Sequence, residues 1–404
     1  MNTAAKLFGS LTNECDSMKY GPLVALLLVL SLALAPTAIA STTWYVNGVS
    51  GSDTNNCLSA ETACKTIGRA VSLAASGDAI MVAAATYNEN LTIGISLAIT
   101  GTGARTTIVD GGGVNRVVTI PKTNTVVTLS TLTIRHGLTG SSPPPAGCGG
   151  GIYNSGTLTI NEGTISGNQV NGGVEVLGLG GGICNGGRLT INTTTISGNT
   201  ITRLAWGGGI YNFAGTLTIN DSTISENTAL EAAGMMIDGG TVVINNSTIS
   251  GNRGLLCGGI DGGPVAIAIN NTTISRNIAP NGGAGLCVTP TIQNSIVANN
   301  SGGNCIAGAI SHGYNLSSDN SCNFNGPGDL NDTEPKLGIL GNHGGPTPTI
   351  PEMLDSPTVD AGNPSGCRDS QDHLLKTDQR GYPRPGKDKH DHRCDMGAYE
   401  RQTD

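Results

Sequence analysis

Thr164-Ile165-Ser166-Gly167-Asn168 recurs unchanged at Thr195 to Asn199, and variants of it stand at Thr223 to Asn227, Thr248 to Asn252, Thr273 to Asn277 and Ser295 to Asn299. The isoleucines Ile165, Ile196, Ile224, Ile249, Ile274 and Ile296 are separated by 31, 28, 25, 25 and 22 residues. A period in this range marks a stack of similar units, none able to bury a core alone. A second phrase precedes the first in each unit: Leu158-Thr159-Ile160-Asn161, then Leu189 to Asn192, Leu217 to Asn220, Val242 to Asn245 and Ile267 to Asn270. Leu158 and Ile160 alternate with Thr159, the two-residue period of a strand with one buried face.

Upstream of these phrases lies a glycine entry: Gly149-Gly150-Gly151-Ile152, Gly180-Gly181-Gly182-Ile183 and Gly207-Gly208-Gly209-Ile210. Several short strands per unit, joined by Gly and Asn turns, predict an all-β, right-handed parallel β-helix. Each strand then pairs with its copy one coil on, about 4.8 Å away. The irregular period fits, because extra residues can leave through one loop between the Asn and the next glycines.

Two asparagine columns follow from the alignment. Asn161, Asn192, Asn220, Asn245 and Asn270 form one, and Asn168, Asn199, Asn227, Asn252, Asn277 and Asn299 the other. Stacked amides bond to one another along such a ladder, and Asn tolerates the turn geometry. Thr164, Thr195, Thr223, Thr248, Thr273 and Ser295 are expected to face outward as a solvated hydroxyl stripe.

Composition fits an exported solenoid. The chain has 404 residues with 61 glycines, and is 12% charged and 3% aromatic. Its net charge of −8 argues against nucleic acid and anionic membrane surfaces as partners. Leu23 to Ala35 is an apolar run after Lys19 and before Ala38-Ile39-Ala40, the pattern of an export signal spanning residues 1–40. It is short for a retained membrane helix, so no integral membrane form is expected after its removal. Eleven cysteines less Cys15 leave an even ten, which favours disulfides in a secreted or cell-surface protein. Cys57 with Cys64, and Cys367 with Cys394, are the expected pairs, since each lies in an end segment. Cys148, Cys184, Cys257 and Cys287 stand at different registers and are left unassigned.

The ends read as caps. Ile67, Ala70, Val71 and Ala74 lie at helical spacing after a first strand, Trp44-Tyr45-Val46, and predict a short helix over the open end of the tube. The β-helix with this cap is expected over 41–335. Residues 336–404 form a separate, loop-rich segment: from Glu352 onward lie 8 of the 21 basic and 11 of the 29 acidic residues.

The glycine entry followed by Thr-Ile-Ser-Gly-Asn resembles the right-handed β-helix repeats of pectate-lyase-like proteins. It is similar, less closely, to repeats of polymorphic outer-membrane proteins and adhesins, where an aromatic stands in place of Ile. The tail, with Gly344-Gly345-Pro346-Thr347, Asp378-Gln379-Arg380-Gly381, Arg384-Pro385 and Cys394-Asp395-Met396-Gly397-Ala398-Tyr399-Glu400, resembles the choice-of-anchor Q domain. That resemblance implies a bacterial cell-surface protein. The family's sorting signal would follow Glu400, and Asp404 is the last residue given.

These scaffolds host lyases, hydrolases and inert adhesins alike. From Ala146 to Ile310 there is no Lys or His, with four Arg and seven acids. The leading expectation is therefore a non-catalytic scaffold for display, adhesion or glycan contact, with no cofactor. The alternative is a polysaccharide lyase or glycoside hydrolase. Its support is a column read as Asn154, Asn185, Asn212, Asp238 and Asp261, which would put Asp238 and Asp261 about 5 Å apart, as in a retaining glycosidase. Asp in place of Asn at a turn before Gly-Gly explains the same column without chemistry. Trp206, Tyr153 and Tyr211 beside the entries offer rings to a sugar. His390-Asp391-His392 with Asp388 and Asp395 is a metal candidate beside a plain solvated loop. His136, His312 and His343 stand beside glycines and read as loop residues.

Overall fold

The structure, a computed structural model, describes residues 41–140, 145–172, 176–203, 205–386 and 393–402. The expected export signal and the His390–His392 cluster lie outside these residues. Each coil lays down short strands that pair in parallel with their counterparts one coil on, giving sheets of eleven, ten and seven strands beside two small ones. Coils of parallel strands cross over in the right-handed sense that strand twist favours.

The first sheet carries Thr157–Asn161, Arg188–Asn192, Thr216–Asn220, Thr241–Asn245 and Ala266–Asn270; the second carries Thr164–Ser166, Thr195–Ser197, Thr223–Ser225, Thr248–Ser250 and Thr273–Ser275. Ile165, Ile196, Ile224, Ile249 and Ile274 stack directly above one another inside the tube. All are essentially inaccessible. Each such side chain contributes about 1.5–3 kcal/mol by leaving water. Between the two sheets the chain bends through one left-handed residue per coil. Glu162, Thr193, Asp221, Asn246, Asn271 and Asn294 take that place, all with φ near +50°. Asp and Asn reach this region more easily than most side chains.

The inner asparagine ladder is continuous. Asn168 donates from Nδ2 to Asn199 Oδ1 at 3.0 Å, Asn199 to Asn227 at 3.0 Å, Asn227 to Asn252 at 2.9 Å and Asn252 to Asn277 at 2.9 Å. Each Oδ1 also receives the backbone N–H of the residue one coil below, as Asn227 Oδ1 receives Asn199 N. The expected sixth member is wrong by one residue. Asn277 bonds to Asn300, not Asn299, and Asn300 to Asn304. The sixth phrase is shifted because Ile296 pairs with Thr273 and Val297 with Ile274, so Val297 is the inward residue aligned with the isoleucines. Ser295 joins a different hydroxyl ladder, where its Oγ receives Thr272 N at 3.1 Å. The outer ladder Asn161, Asn192, Asn220, Asn245, Asn270 runs as read, at 2.8–3.0 Å per step.

The hydroxyl stripe is not a free surface. Thr164 and Thr195 remain half-exposed, but Thr223, Thr248 and Thr273 are buried. The tail covers them. Gln379 accepts from Thr248 Oγ1 at 2.6 Å and donates to Thr223 Oγ1 at 2.8 Å, and Ala398 N donates to Thr273 Oγ1 at 3.1 Å. Under this cover lies a buried ionic cluster. Arg380 pairs with Asp378 at 2.7 Å and Arg384 with Glu400 at 3.4 Å. The tail motifs thus supply the residues that fasten the tail to the second sheet.

The helix Ile67–Leu73 buries Ile67 and Ala70 in the core and packs on the first strands. Thr66 caps it by accepting from Arg69 N, and the Glu89 carboxylate accepts from Ile67 N at 2.8 Å and Gly68 N at 2.7 Å. A carboxylate on these otherwise orphan amides also complements the helix dipole. Five disulfides close loops: Cys57–Cys64, Cys148–Cys184, Cys257–Cys287, Cys305–Cys322 and Cys367–Cys394.

Candidate functional site

The third sheet carries Ile152–Asn154, Ile183–Asn185, Ile210–Asn212, Met235–Ile237 and Ile260–Gly262. Its inward residues are Ile152, Ile183, Ile210, Met235 and Ile260, and these fix the register. The column of Asn154, Asn185 and Asn212 therefore continues into Ile237 and Gly262, not into Asp238 and Asp261. The expected alignment took each member as the residue after an Ile-x or Ile entry, so Ile237 stood in for the entry residue. The true anchor is the apolar residue after the entry glycine: Asp238 lies three residues past Met235, whereas Asp261 immediately follows Ile260. The amide ladder Asn154–Asn185–Asn212 ends on Gly239 O at 2.7 Å.

The correction moves Asp261 into the outward column Tyr153, Cys184, Tyr211, Met236, Asp261. Asp238 lies one residue past its strand and is exposed. The two still meet one another's fields. Burial pushes the Asp261 carboxyl up to about 6, against the hydrogen bond from Gly262 N, and the charges of Glu231 and Asp238 add to the rise. Two carboxylates sharing a site oppose each other's ionisation in this way.

Aromatic residues are built into the same patch. Tyr153, Leu179, Trp206 and Met236 pack against Cys148, Cys184 and Tyr211. Trp206 is half-buried, and its Nε1 donates to Glu231 Oε2 at 2.8 Å. Tyr211 is buried, donates to Asp238 Oδ2, and stacks with Phe213 at a centroid distance of 6.0 Å. Burial first, then Asp238, pushes the Tyr211 phenol up. Phe213 and Glu231 had no signal in the sequence, since neither belongs to a repeated phrase. Arg253 sits on a different strand pairing, with Thr228 and Ile278.

Cys257, Asp261 and Cys287 bring potential metal-ligand atoms within 4.8 Å of one another. The two sulfurs are bonded to each other, which leaves a single carboxylate and no ligand set. His312 lines a cavity of about 200 Å³ with Asp369 and Asp372, and His343 meets Ile339 O and the edge of Tyr399. His136 is different, being held by Asp110 with Nδ1 3.0 Å from Oδ2.

No family model matches the chain, and no curated protein does. Among solved structures, a pectate lyase, Pel9A, superposes over 90% of this chain and 98% of its own, at 14% identity and a TM-score of 0.54. Both chains share the parallel β-helix. The pectin methylesterase PemA from Erwinia chrysanthemi overlaps 62% of this chain and 82% of its own, at 15% identity and a TM-score of 0.38.

Proposed function

We propose that this protein is an exported bacterial β-helix scaffold that holds a polysaccharide or cell-surface glycan against its third sheet, by contact and not by turnover. The observation that carries the reading is the patch around Trp206, whose ring is fixed by Glu231 beside Phe213 and the Tyr211–Asp238 pair. Rigid aromatic faces with polar tips are what pyranose rings stack on. The five disulfides fit an oxidising compartment. Among the described residues no helix is long and apolar enough to cross a membrane. The tail's likeness to the choice-of-anchor Q domain supports a cell-surface address.

The fold neighbour named as a pectate lyase supports a polysaccharide as the partner class. Affinity electrophoresis against acidic and neutral polysaccharides tests the reading. Trp206→Ala is expected to weaken binding about tenfold, the equivalent of 1.4 kcal/mol. Equal retardation of the variant and the parent by every polysaccharide would remove the patch from the function.

One observation favours the hydrolase or lyase reading. Asp261, with its pKa raised to about 6, stands near Asp238 and Glu231, an acid beside bases as glycoside cleavage requires. Under that reading the same polysaccharides are cleaved and Asp261→Asn abolishes cleavage. Under the contact reading no fragment appears with the parent protein.

A further inference from the structure

The residue after each second-sheet strand from Thr133–Arg135 to Ile296–Ala298 lies in the left-handed region; it is glycine at Gly167 (φ 61°), Gly198 (63°) and Gly251 (68°), and carries a side chain at Glu226 (56°), Arg276 (59°) and Asn299 (58°). One coil before Gly167 the same place holds His136, at φ 51°. A side chain there costs of order 1–3 kcal/mol and persists where the surroundings hold it. The surroundings here are specific. Asp110 Oδ2 lies 3.0 Å from His136 Nδ1 and 2.8 Å from Arg135 Nε, while Asp110 Oδ1 receives Gly112 N at 2.9 Å. Burial alone would raise the Asp110 carboxyl, but the Gly112 amide, Arg135 and His136 outweigh it and hold the group below the usual carboxylate range. An ionised carboxylate accepts only, so Nδ1 carries the hydrogen, and the neutral ring presents its lone pair at Nε2.

That lone pair faces usable space. The imidazole is 55% exposed and lines a groove of about 460 Å³ whose walls are Gly112, Gly113, Gly137 and Gly167, with Leu138 and Gln169. A Cβ at position 167 would stand 3.8 Å from Nε2, so glycine there keeps this edge open. Backbone walls without side chains let a ring approach closely. Gln169 Nε2 gives one hydrogen to Asn171 Oδ1 at 2.7 Å and keeps a second.

We propose that His136 is the general base of a separate site that removes O-acyl groups from a carbohydrate, with Gln169 as the oxyanion donor and Asp110 as the positioning residue. The available groups select this chemistry. Glycoside cleavage draws on two carboxyls, and the one beside this groove is committed to Arg135, Gly112 and His136. An acyl ester needs a single base and a donor for the carbonyl oxygen. Nε2 takes a proton from water as the water oxygen bonds to the acyl carbon. The carbonyl electron pair moves onto oxygen beside the Gln169 N–H. Collapse breaks the bond to the sugar oxygen, which takes the proton back from Nε2, leaving a free sugar hydroxyl and a carboxylic acid. The site is independent of the Trp206 patch, and failure of either leaves the other standing.

The test is acetate release from an O-acetylated polysaccharide by the full chain. His136→Gly installs the residue that the next two coils hold at this place, Gly167 and Gly198. It is expected to keep or raise thermal stability while kcat/KM falls about 100-fold or more. His136→Gln should lose as much. Asp110→Asn should lower kcat with KM little changed, and His343→Ala should leave turnover unaltered. No acetate above the rate in buffer, or equal turnover by the His136→Gly variant, would overturn the proposal. A His136→Gly variant that unfolds would overturn it too, since the side chain would then serve the fold.

Discussion

Asn227→Ala will destabilise the protein by about 3 kcal/mol or more, whereas Asn192→Ala will cost less than about 1 kcal/mol. Both residues belong to amide ladders, and a sequence alignment gives no reason to separate them. The difference lies in what each amide satisfies. Asn227 is inaccessible. Its Oδ1 receives both Asn199 N and Asn199 Nδ2 at 3.0 Å, and its Nδ2 donates to Ile196 O at 3.0 Å. Alanine leaves Asn199 N buried without a partner, at about 1–3 kcal/mol, and takes one bond each from Asn199 Nδ2, which keeps Ile165 O, and from Ile196 O, at about 0.5–1.5 kcal/mol apiece. Asn192 is half-exposed and bonds only to Asn161 and Asn220, and water can replace both.

Urea denaturation midpoints of the two variants decide the order. Hydrogen exchange adds a local reading, because the Asn199 amide should lose protection in the Asn227→Ala variant and keep it in the other. Stacked repeats interact chiefly with their neighbours, so the loss of protection should centre on the coils beside the change. Equal midpoints for the two variants would mean that the ladder is decoration on an already sufficient core.

The core was legible because one residue type, isoleucine, returns to the same inward place in successive coils from Ile165 to Ile274, and direct stacking makes period and register one fact. Reading failed where a matching phrase sat one or two residues out of register. Ser295 and Asn299 look like the ends of a sixth phrase, yet Val297 takes the inward place and Asn300 the ladder. Asp238 and Asp261 both precede Gly-Gly, yet Met235 and Ile260 set their registers and place them differently. Tail docking left no local trace at all. Gln379 reaches Thr223 across 156 residues, and nothing in the phrase Thr223-Ile224-Ser225 marks it as covered while Thr164-Ile165-Ser166 is open. The aromatic patch was half legible. Trp206 and Tyr211 flank the glycine entry, but the carboxylates that fix them, Glu231 and Asp238, are supplied one coil on.

Raising the pH from 5 to 8 will loosen the tail from the second sheet, and the variant pair Glu352→Gln and Asp221→Asn will reduce that response. Carboxyls outnumber guanidinium groups in the cluster beneath the tail. Glu352 is fully buried, and neither of its carboxyl oxygens has a hydrogen-bond partner among the described residues. Burial, with Asp395 and Glu400 adding repulsion, pushes it well above the usual range against the pull of Arg384. Burial likewise pushes Glu400 up to about 7 and Asp221 up to about 6. A group whose folded pKa is raised keeps a proton that the unfolded chain releases. Its contribution is full below the ordinary values of 4.5 for Glu400 and 3.8 for Asp221, and is lost as pH rises through about 7 and about 6. Each shift corresponds to something on the order of 3 kcal/mol between the two ends of its window. Asp221→Asn is a mild change, because Asn246, Asn271 and Asn294 hold the same left-handed place in later coils, and an amide oxygen can still receive Asn246 Nδ2. Glu352→Gln removes a titrating group without removing a bond. Limited proteolysis of the tail, timed at pH 5 and pH 8, reads the effect directly: the parent should be cut faster at pH 8, and the double variant should show a smaller difference, the remainder belonging to Glu400. A parent tail cut equally fast at the two pH values would show that the cluster's charges are met by solvent and that hydrogen bonds such as Gln379 to Thr223 and Thr248 hold the tail alone.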